Sequence, residues 1–314
     1  MPGRVRRLRA RGVLGINARN IEFVQRYNPR SRYPLVDDKL RTKRLALAAG
    51  IAVPELYGVM STPHDTARLA ELVAGRDAFV IKPAHGSGGD GILVIAGRPA
   101  RREGQFRLLD GGQINEAELR FHATNIISGR YSLGGHRDQA IIEYCVQPDP
   151  VFAGVSDRGV PDVRVLVFRG YPVLAMLRLP TRESRGKANL HQGAIGVGID
   201  LLTGCTTHAV HHDTAIDEHP DTGLPVSGLE VPHWSQLLEL AAGCYELTGL
   251  GYLGVDLVLD RRHGPLILEL NARPGLNIQI ANRVGLRRRL ARLAGAADDR
   301  PVAERLARLA ERLG

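Results

Sequence analysis

Gly254-Val-Asp-Leu-Val-Leu-Asp-Arg-Arg-His-Gly-Pro-Leu-Ile-Leu-Glu-Leu-Asn271 reads as two strands, Leu253–Leu259 and Pro265–Asn271, joined by the turn 260–264. A turn centred on Arg262 and His263 sets Asp256 opposite Glu269. The two-residue period of a strand then puts Asn271 on the same face as Glu269. Two carboxylates facing each other at ~5 Å repel unless a cation lies between them. The oxygen donors of Asp256, Glu269 and Asn271 suit Mg2+, or Mn2+ in its place, with phosphate and water completing the shell. The competing reading is a solvated surface pair, against which the apolar flanking residues weigh.

Working outward, Asn271-Ala-Arg273-Pro-Gly275 follows at once and sets a guanidinium beside this cluster, suited to bidentate grip on phosphate or carboxylate. Upstream, Val163–Phe168 and Val173–Arg178 read as a hairpin around 169–172, with Arg164 and Arg178 available for the same work. Each arginine alone is more often a surface residue, so the weight rests on the pattern. The polar loop Lys187-Ala-Asn189-Leu-His191 offers another cation, and His191 reads as a hydrogen-bonding loop residue or a base. His208, His211, His212 and His219 show no compelling ligand spacing and read as structural or exposed.

Further upstream, Ala78–Lys82 and Ile92–Ala96 are β-branched runs flanking the glycine-rich loop 83–91, whose Gly86-Ser87-Gly88-Gly89-Asp90-Gly91 contains GxGxxG. A dinucleotide fingerprint must open a helix, whereas here a strand follows. What remains is a hairpin loop whose backbone N–H groups can fold over phosphates, or an ordinary surface turn. Lys82 favours the first, because a lysine ending an apolar strand is expensive to bury without an anion.

The 314 residues include 42 basic against 33 acidic side chains, a formal net charge of +9. Residues 1–44 carry +10 and residues 283–314 carry +5, leaving −6 on the body between them. A nucleic-acid binder usually carries its basic patch on the folded body, so no nucleic acid is expected. The Arg-rich ends suggest an acidic protein or membrane-surface partner. Only Lys39, Lys43, Lys82 and Lys187 are lysine among the basic residues, which singles them out where a compact ammonium is wanted. Cys145, Cys205 and Cys244 lie far apart with no CxxC, so neither disulfides nor a zinc site is indicated. No apolar run reaches the ~18 residues of a membrane span and no leader is read, so a cytoplasmic location is expected.

Remaining patterns predict helices over 12–28, 39–49, 63–74, 115–127 and 235–249, and strands over 53–59 and 139–146. The fold class is α+β with antiparallel hairpins, not alternating βαβ units. A basic extension (1–36) is expected before the main domain (37–285), which divides at about 53–146 and 147–285. An amphipathic C-terminal helix is expected within 286–314.

In order along the chain, the pieces Asp38-Lys39, Val80-Ile-Lys82-Pro with its glycine loop, Ile141-Ile-Glu143-Tyr144-Cys-Val146 and Asp162-Val-Arg164 resemble the ATP-grasp superfamily. Asn189-Leu-His191, Gly254-Val-Asp256 and Glu269–Gly275 continue the resemblance, which spans about 37–285. Within it the chain is similar to RimK-type glutamate ligase-like proteins and to the sugar-transfer-associated subgroup. The resemblance implies two α+β subdomains grasping ATP, with a shortened N-terminal region in place of a full preceding domain. It implies that Lys39, Lys82 and the loop Gly86, Ser87, Gly88 and Gly89 contact phosphates. It places Glu143, Tyr144 and Val146 along the adenine, Asp149 at the ribose and Asn189 with Lys187 near the phosphates. Asp256, Glu269 and Asn271 would hold Mg2+, and Arg273, Arg178, Arg164 and Lys187 would serve catalysis.

The activity so implied joins a small carboxylate, amino-acid or peptide substrate to an amine at the expense of ATP, glutamate being one candidate. The alternatives are a nucleotide-binding regulatory or scaffold protein and an ATP-dependent modifier of a macromolecule. The oligomeric state is left open.

Overall fold

The computed structural model describes the chain except Met1, Ser87, 100–103, Leu133, Asp157, 296–297 and Gly314. The chain divides into two compact units, a smaller one of residues 38–43 and 53–146 and a larger one of residues 1–37, 44–52 and 147–314.

The smaller unit is built on a six-stranded antiparallel sheet. Its strands are β1 (Leu56–Met60), β2 (Phe79–Pro83), β3 (Leu93–Gly97), β4 (Gln105–Leu108), β5 (Gln113–Asn115) and β6 (Ala140–Tyr144). They lie in the order β1-β6-β2-β3-β4-β5. The helix Glu116–Ile127 starts at a capping box, Asn115 accepting from Glu118 N and Glu118 accepting from Asn115 N. It buries Leu119, Ala123 and Ile126 in one core with Phe79, Ile81 and Ile142 of the sheet. Apolar burial of this kind contributes roughly 25 cal/mol per Å² removed from water, and it fixes β2 and β6 side by side. The expected helix over 63–74 is tighter than predicted: a 3-10 segment Pro63–Arg68, capped by Thr62, precedes one α-turn at Leu69–Leu72.

The larger unit holds a seven-stranded antiparallel sheet. It comprises β7 (Asp162–Phe168), β8 (Tyr171–Leu179), β9 (Ile195–Ile199), β10 (Thr206–His211), β11 (Thr214–Ile216), β12 (Tyr252–Asp260) and β13 (Gly264–Asn271). The order is β11-β10-β9-β8-β7-β12-β13. The β7–β8 hairpin closes on Arg169-Gly170, both at positive φ (52° and 78°), the backbone that a two-residue turn between twisted strands requires. The helix Trp234–Thr248 buries Leu237, Leu238 and Ala241.

Residues 1–36 and 286–314, set apart in the sequence, fall within this same unit. Asn28 is the clearest stitch: its amide donates to Tyr252 O (2.7 Å) and Ala272 O (2.9 Å) and accepts from Tyr252 N (2.9 Å). It thereby holds the open end of the β12–β13 hairpin. Among its described residues the C-terminal segment forms three short helices, Leu286–Leu293, Val302–Ala307 and Leu309–Leu313, where one was expected. Pro301 cannot continue a helix and instead caps the second. Of the helix expected over 12–28, residues 16–27 are helical, with π-turns at Arg19–Val24 rather than a regular α-helix.

Candidate functional site

In the smaller unit, β2 and β6 pair with Val80 opposite Glu143 and Lys82 opposite Ile141. Lys82 and Glu143 are therefore diagonal neighbours on one face. Both are buried, and the Lys82 ammonium is ion-paired with the Glu143 carboxylate. Lys43, also buried, contacts the same carboxylate at 2.9 Å and donates to Pro54 O. Burial favours the neutral acid at Glu143, but the two ammoniums together outweigh it and hold the carboxyl below its ordinary value. Burial lowers Lys43, with Glu143 only partly offsetting. Lys43 thus has a position that the sequence left unassigned.

Lys39 opens the helix Lys39–Ala48, and its ammonium donates to Gly86 O at the start of the glycine loop. Gly88 and Gly89 adopt positive φ (65° and 79°), and a Cβ on Gly86 would lie 2.3 Å from Pro83. These positions need glycine on steric grounds. Ser87 lies outside the described residues. Tyr144 N donates to Glu55 O, and Val146 is buried. The sequence missed the support of this loop: buried Asp138 accepts from His85 N and contacts His85 Nδ1 at 2.7 Å. Its only signal was a histidine two residues after Pro83.

In the larger unit, β12 sits between β7 and β13. Asp256 faces Arg164 on one side and Glu269 on the other. The expected pairing holds for a different reason than expected. Asp260 pairs with Gly264, so the turn is one residue tighter, and unbroken pairing would set Asp256 opposite Leu268. A bulge at Leu268 restores Glu269 to the position facing Asp256. Asp260 Oδ1 accepts from the backbone N of Arg262 and His263 and fixes that tight turn.

Arg164 grips Asp256 through Nε and Nη2, each at 2.6 Å, and Arg178 adds a contact at 2.8 Å. Arg178 also engages buried Asp162 through two arms at 2.5 Å. Burial pushes Asp162 up, with Arg178 only partly offsetting, whereas Asp256 is held low because Arg164 and Arg178 outweigh its burial. The sequence offered both arginines for phosphate or carboxylate and left Asp162 without a role; the structure pairs both arginines with carboxylates of the chain itself.

Asn271 donates to Asp256 at 3.3 Å. Asp256 and Glu269 present carboxylate oxygens from paired positions of β12 and β13. With the Asn271 amide, this donor set of hard oxygens fits Mg2+.

Arg273 is exposed, with its guanidinium 4.9 Å from the Tyr33 ring centroid. Asp149 caps the short helix Pro150–Phe152, and Asn189 caps Leu190–Gln192. Lys187 N donates to Ser184 O in the turn before it.

The model of the family described as sugar-transfer associated ATP-grasp matches residues 18–294. The chain belongs to this family. Among curated proteins it is 25% identical over 239 residues to a probable alpha-L-glutamate ligase of Sodalis glossinidius, covering 76% of this chain and 57% of that one. This ATP-grasp chain thus spans little more than half the length of that relative. Among solved structures it is similar to the ATP-grasp ligase PsnB complexed with minimal precursor (15% identity, TM-score 0.43, covering 91% of this chain and 64% of that one). It is also similar to the D-alanine–D-alanine ligase of Bacillus anthracis complexed with ATP (13%, TM-score 0.45, 90% and 68%). Among the described residues, no helix of the ATP-grasp chain is long and apolar enough to cross a membrane.

Proposed function

We propose that the chain is an ATP-dependent carboxylate–amine ligase that releases ADP and phosphate. The observation that carries this reading is the register placing Asp256 opposite Glu269, with Arg164 and Arg178 converging on Asp256. Asp256, Glu269 and Asn271 would hold Mg2+, which when bound neutralises charge on the ATP phosphates. Lys82, Lys39 and the backbone of the glycine loop are the groups for binding those phosphates, and Glu143, Tyr144 and Val146 would line the adenine. Asp149 would meet the ribose, and Lys187 and Asn189 the phosphates.

A substrate carboxylate oxygen attacks the γ-phosphorus, and the bond to the ADP oxygen breaks, giving an acyl phosphate. An amine then attacks the carbonyl carbon, phosphate leaves, and the amine gives up a proton as the amide forms. Such transfer needs positioning and charge neutralisation more than covalent help. Arg164 and Arg178 hold Asp256 in place, and Arg273 steadies the transferring phosphoryl group. The substrate class is an amino acid or peptide carboxylate; the name of the Sodalis relative makes glutamate the first to try.

The test is a screen of amino acids and acidic peptides for amine-dependent nucleotide turnover. ADP with phosphate is the expected product pair, and AMP with pyrophosphate overturns the reading. A cytoplasmic location accords with this chemistry.

A further inference from the structure

Adjacent residues of a strand point to opposite faces, yet His211 and His212 converge. His211 ends β10, and His212 opens the two-residue turn to β11, since His211 pairs with Thr214. There His212 takes a φ of 52°, a region in which histidine is enriched among non-glycine residues. The turn brings the two imidazoles together, with ring centroids 4.4 Å apart. Both rings reach Glu183: His211 Nε2 lies 3.3 Å from Oε2 and His212 Nε2 lies 3.0 Å from Oε1. Among the described residues, these three alone form a His/Cys/Asp/Glu group of metal-binding geometry, with ligand atoms within 4.8 Å of one another.

Gly193 leaves room for this approach. A Cβ there would lie 2.6 Å from Glu183 Cδ. Its carbonyl oxygen is 3.0 Å from His211 Nε2, so that nitrogen carries the proton in the metal-free state, an assignment made from the bonding pattern.

We propose that Glu183, His211 and His212 form a second metal site, for a borderline transition-metal ion of the Zn2+ type. Two imidazole nitrogens with one carboxylate suit such an ion, whereas Mg2+ wants the all-oxygen set on β12 and β13. Measured to Glu183 Oε2 alone, the two imidazole nitrogens lie at 3.3 and 3.1 Å, near the ~3.3 Å edge of a tetrahedron with bonds of about 2 Å. The fourth position is left for water, and binding through Nε2 shifts His211 to the tautomer with its proton on Nδ1. Glu183 and Gly193 bracket the loop carrying Lys187 and Asn189, so the ion ties that loop to the β10–β11 hairpin. The site stands whether or not the loop serves a ligase.

The experiment uses the full chain, stripped with chelator and titrated calorimetrically with Zn2+, then with Co2+ while its visible absorption is recorded. Wild type is expected to take one tight equivalent and to give the intense bands of tetrahedral Co2+. Glu183→Gln and His212→Asn, the latter keeping a residue that tolerates positive φ, should each weaken binding by about tenfold or more and abolish the bands. Equal Zn2+ affinity in wild type and both variants overturns the proposal, as does a wild type that takes up no Zn2+.

Discussion

Arg164 and Asp256 face each other across β7 and β12, with both arms of the guanidinium on the carboxylate at 2.6 Å. The residue that the metal reading needs as a ligand is therefore preorganised by a fixed cation on its other side. A carboxylate offers about four lone-pair directions; Arg164 takes two, and Arg178 and the Asn271 amide approach the same group, so a metal ion at Asp256 competes with these donors.

Asp256→Asn separates chemistry from fold. The amide keeps the shape but loses the charge that two arginines share. ADP release should disappear, and stability should fall by about 1–3 kcal/mol, the cost of weakening buried charged hydrogen bonds. Nucleotide turnover and a urea titration on the same preparation check both halves. Undiminished turnover would remove Asp256 from the metal site.

Glu143→Gln leaves the ammoniums of Lys43 and Lys82 buried against a neutral amide. A loss of about 3–5 kcal/mol is expected, the usual cost of an uncompensated buried charge. The pH dependence has a definite sign. Glu143 titrates below its ordinary value in the folded chain, so its contribution is complete above the ordinary carboxylate range and is lost as pH falls through the lowered folded value. The urea midpoint of wild type should drop more steeply in acid than that of the variant; parallel curves would contradict this.

Divalent cation removal should stop ADP release, and Mg2+ or Mn2+ should restore it in wild type. Glu269→Gln should need more Mg2+ for half-maximal turnover, since one hard carboxylate is lost. An unchanged Mg2+ requirement would move the metal elsewhere.

Deleting Leu268 removes the bulge while leaving Glu269 the partner of Asp256, because pairing from the Asp260–Gly264 closure then runs unbroken. The variant should keep Mg2+-dependent ADP release. A folded deletion variant without activity would show that the bend of the bulge, beyond the register, positions Glu269.

Much of the fold is legible in local pattern. The strand pair flanking the glycine loop, the helix Glu116–Ile127 with its capping box and the β12–β13 hairpin all follow from periodicity and turn residues. The irregular helices did not follow, because apolar periodicity does not distinguish the π-turns at Arg19–Val24 or the 3-10 start at Pro63 from a regular α-helix. In the site, Asp256, Glu269 and Asn271 could be grouped because two strands and a turn relate them.

The partners of these residues lie beyond any local pattern. Arg164 reaches Asp256 from 92 positions away, and His85 finds Asp138 across 53. Glu183 meets His211 and His212 only because a turn breaks strand alternation.

The sequence by itself determined the antiparallel α+β class, the glycine loop between strands, and the set of chemical groups available, since these rest on periods and turns a few residues long. Tertiary structure alone decided which charges neutralise which: Glu143 between two lysines, Asp256 under two arginines, and the bulge that sets Glu269 in register. The physical reason is that burial makes a charge depend on whatever sheet order brings beside it, and sheet order is a property of the whole fold.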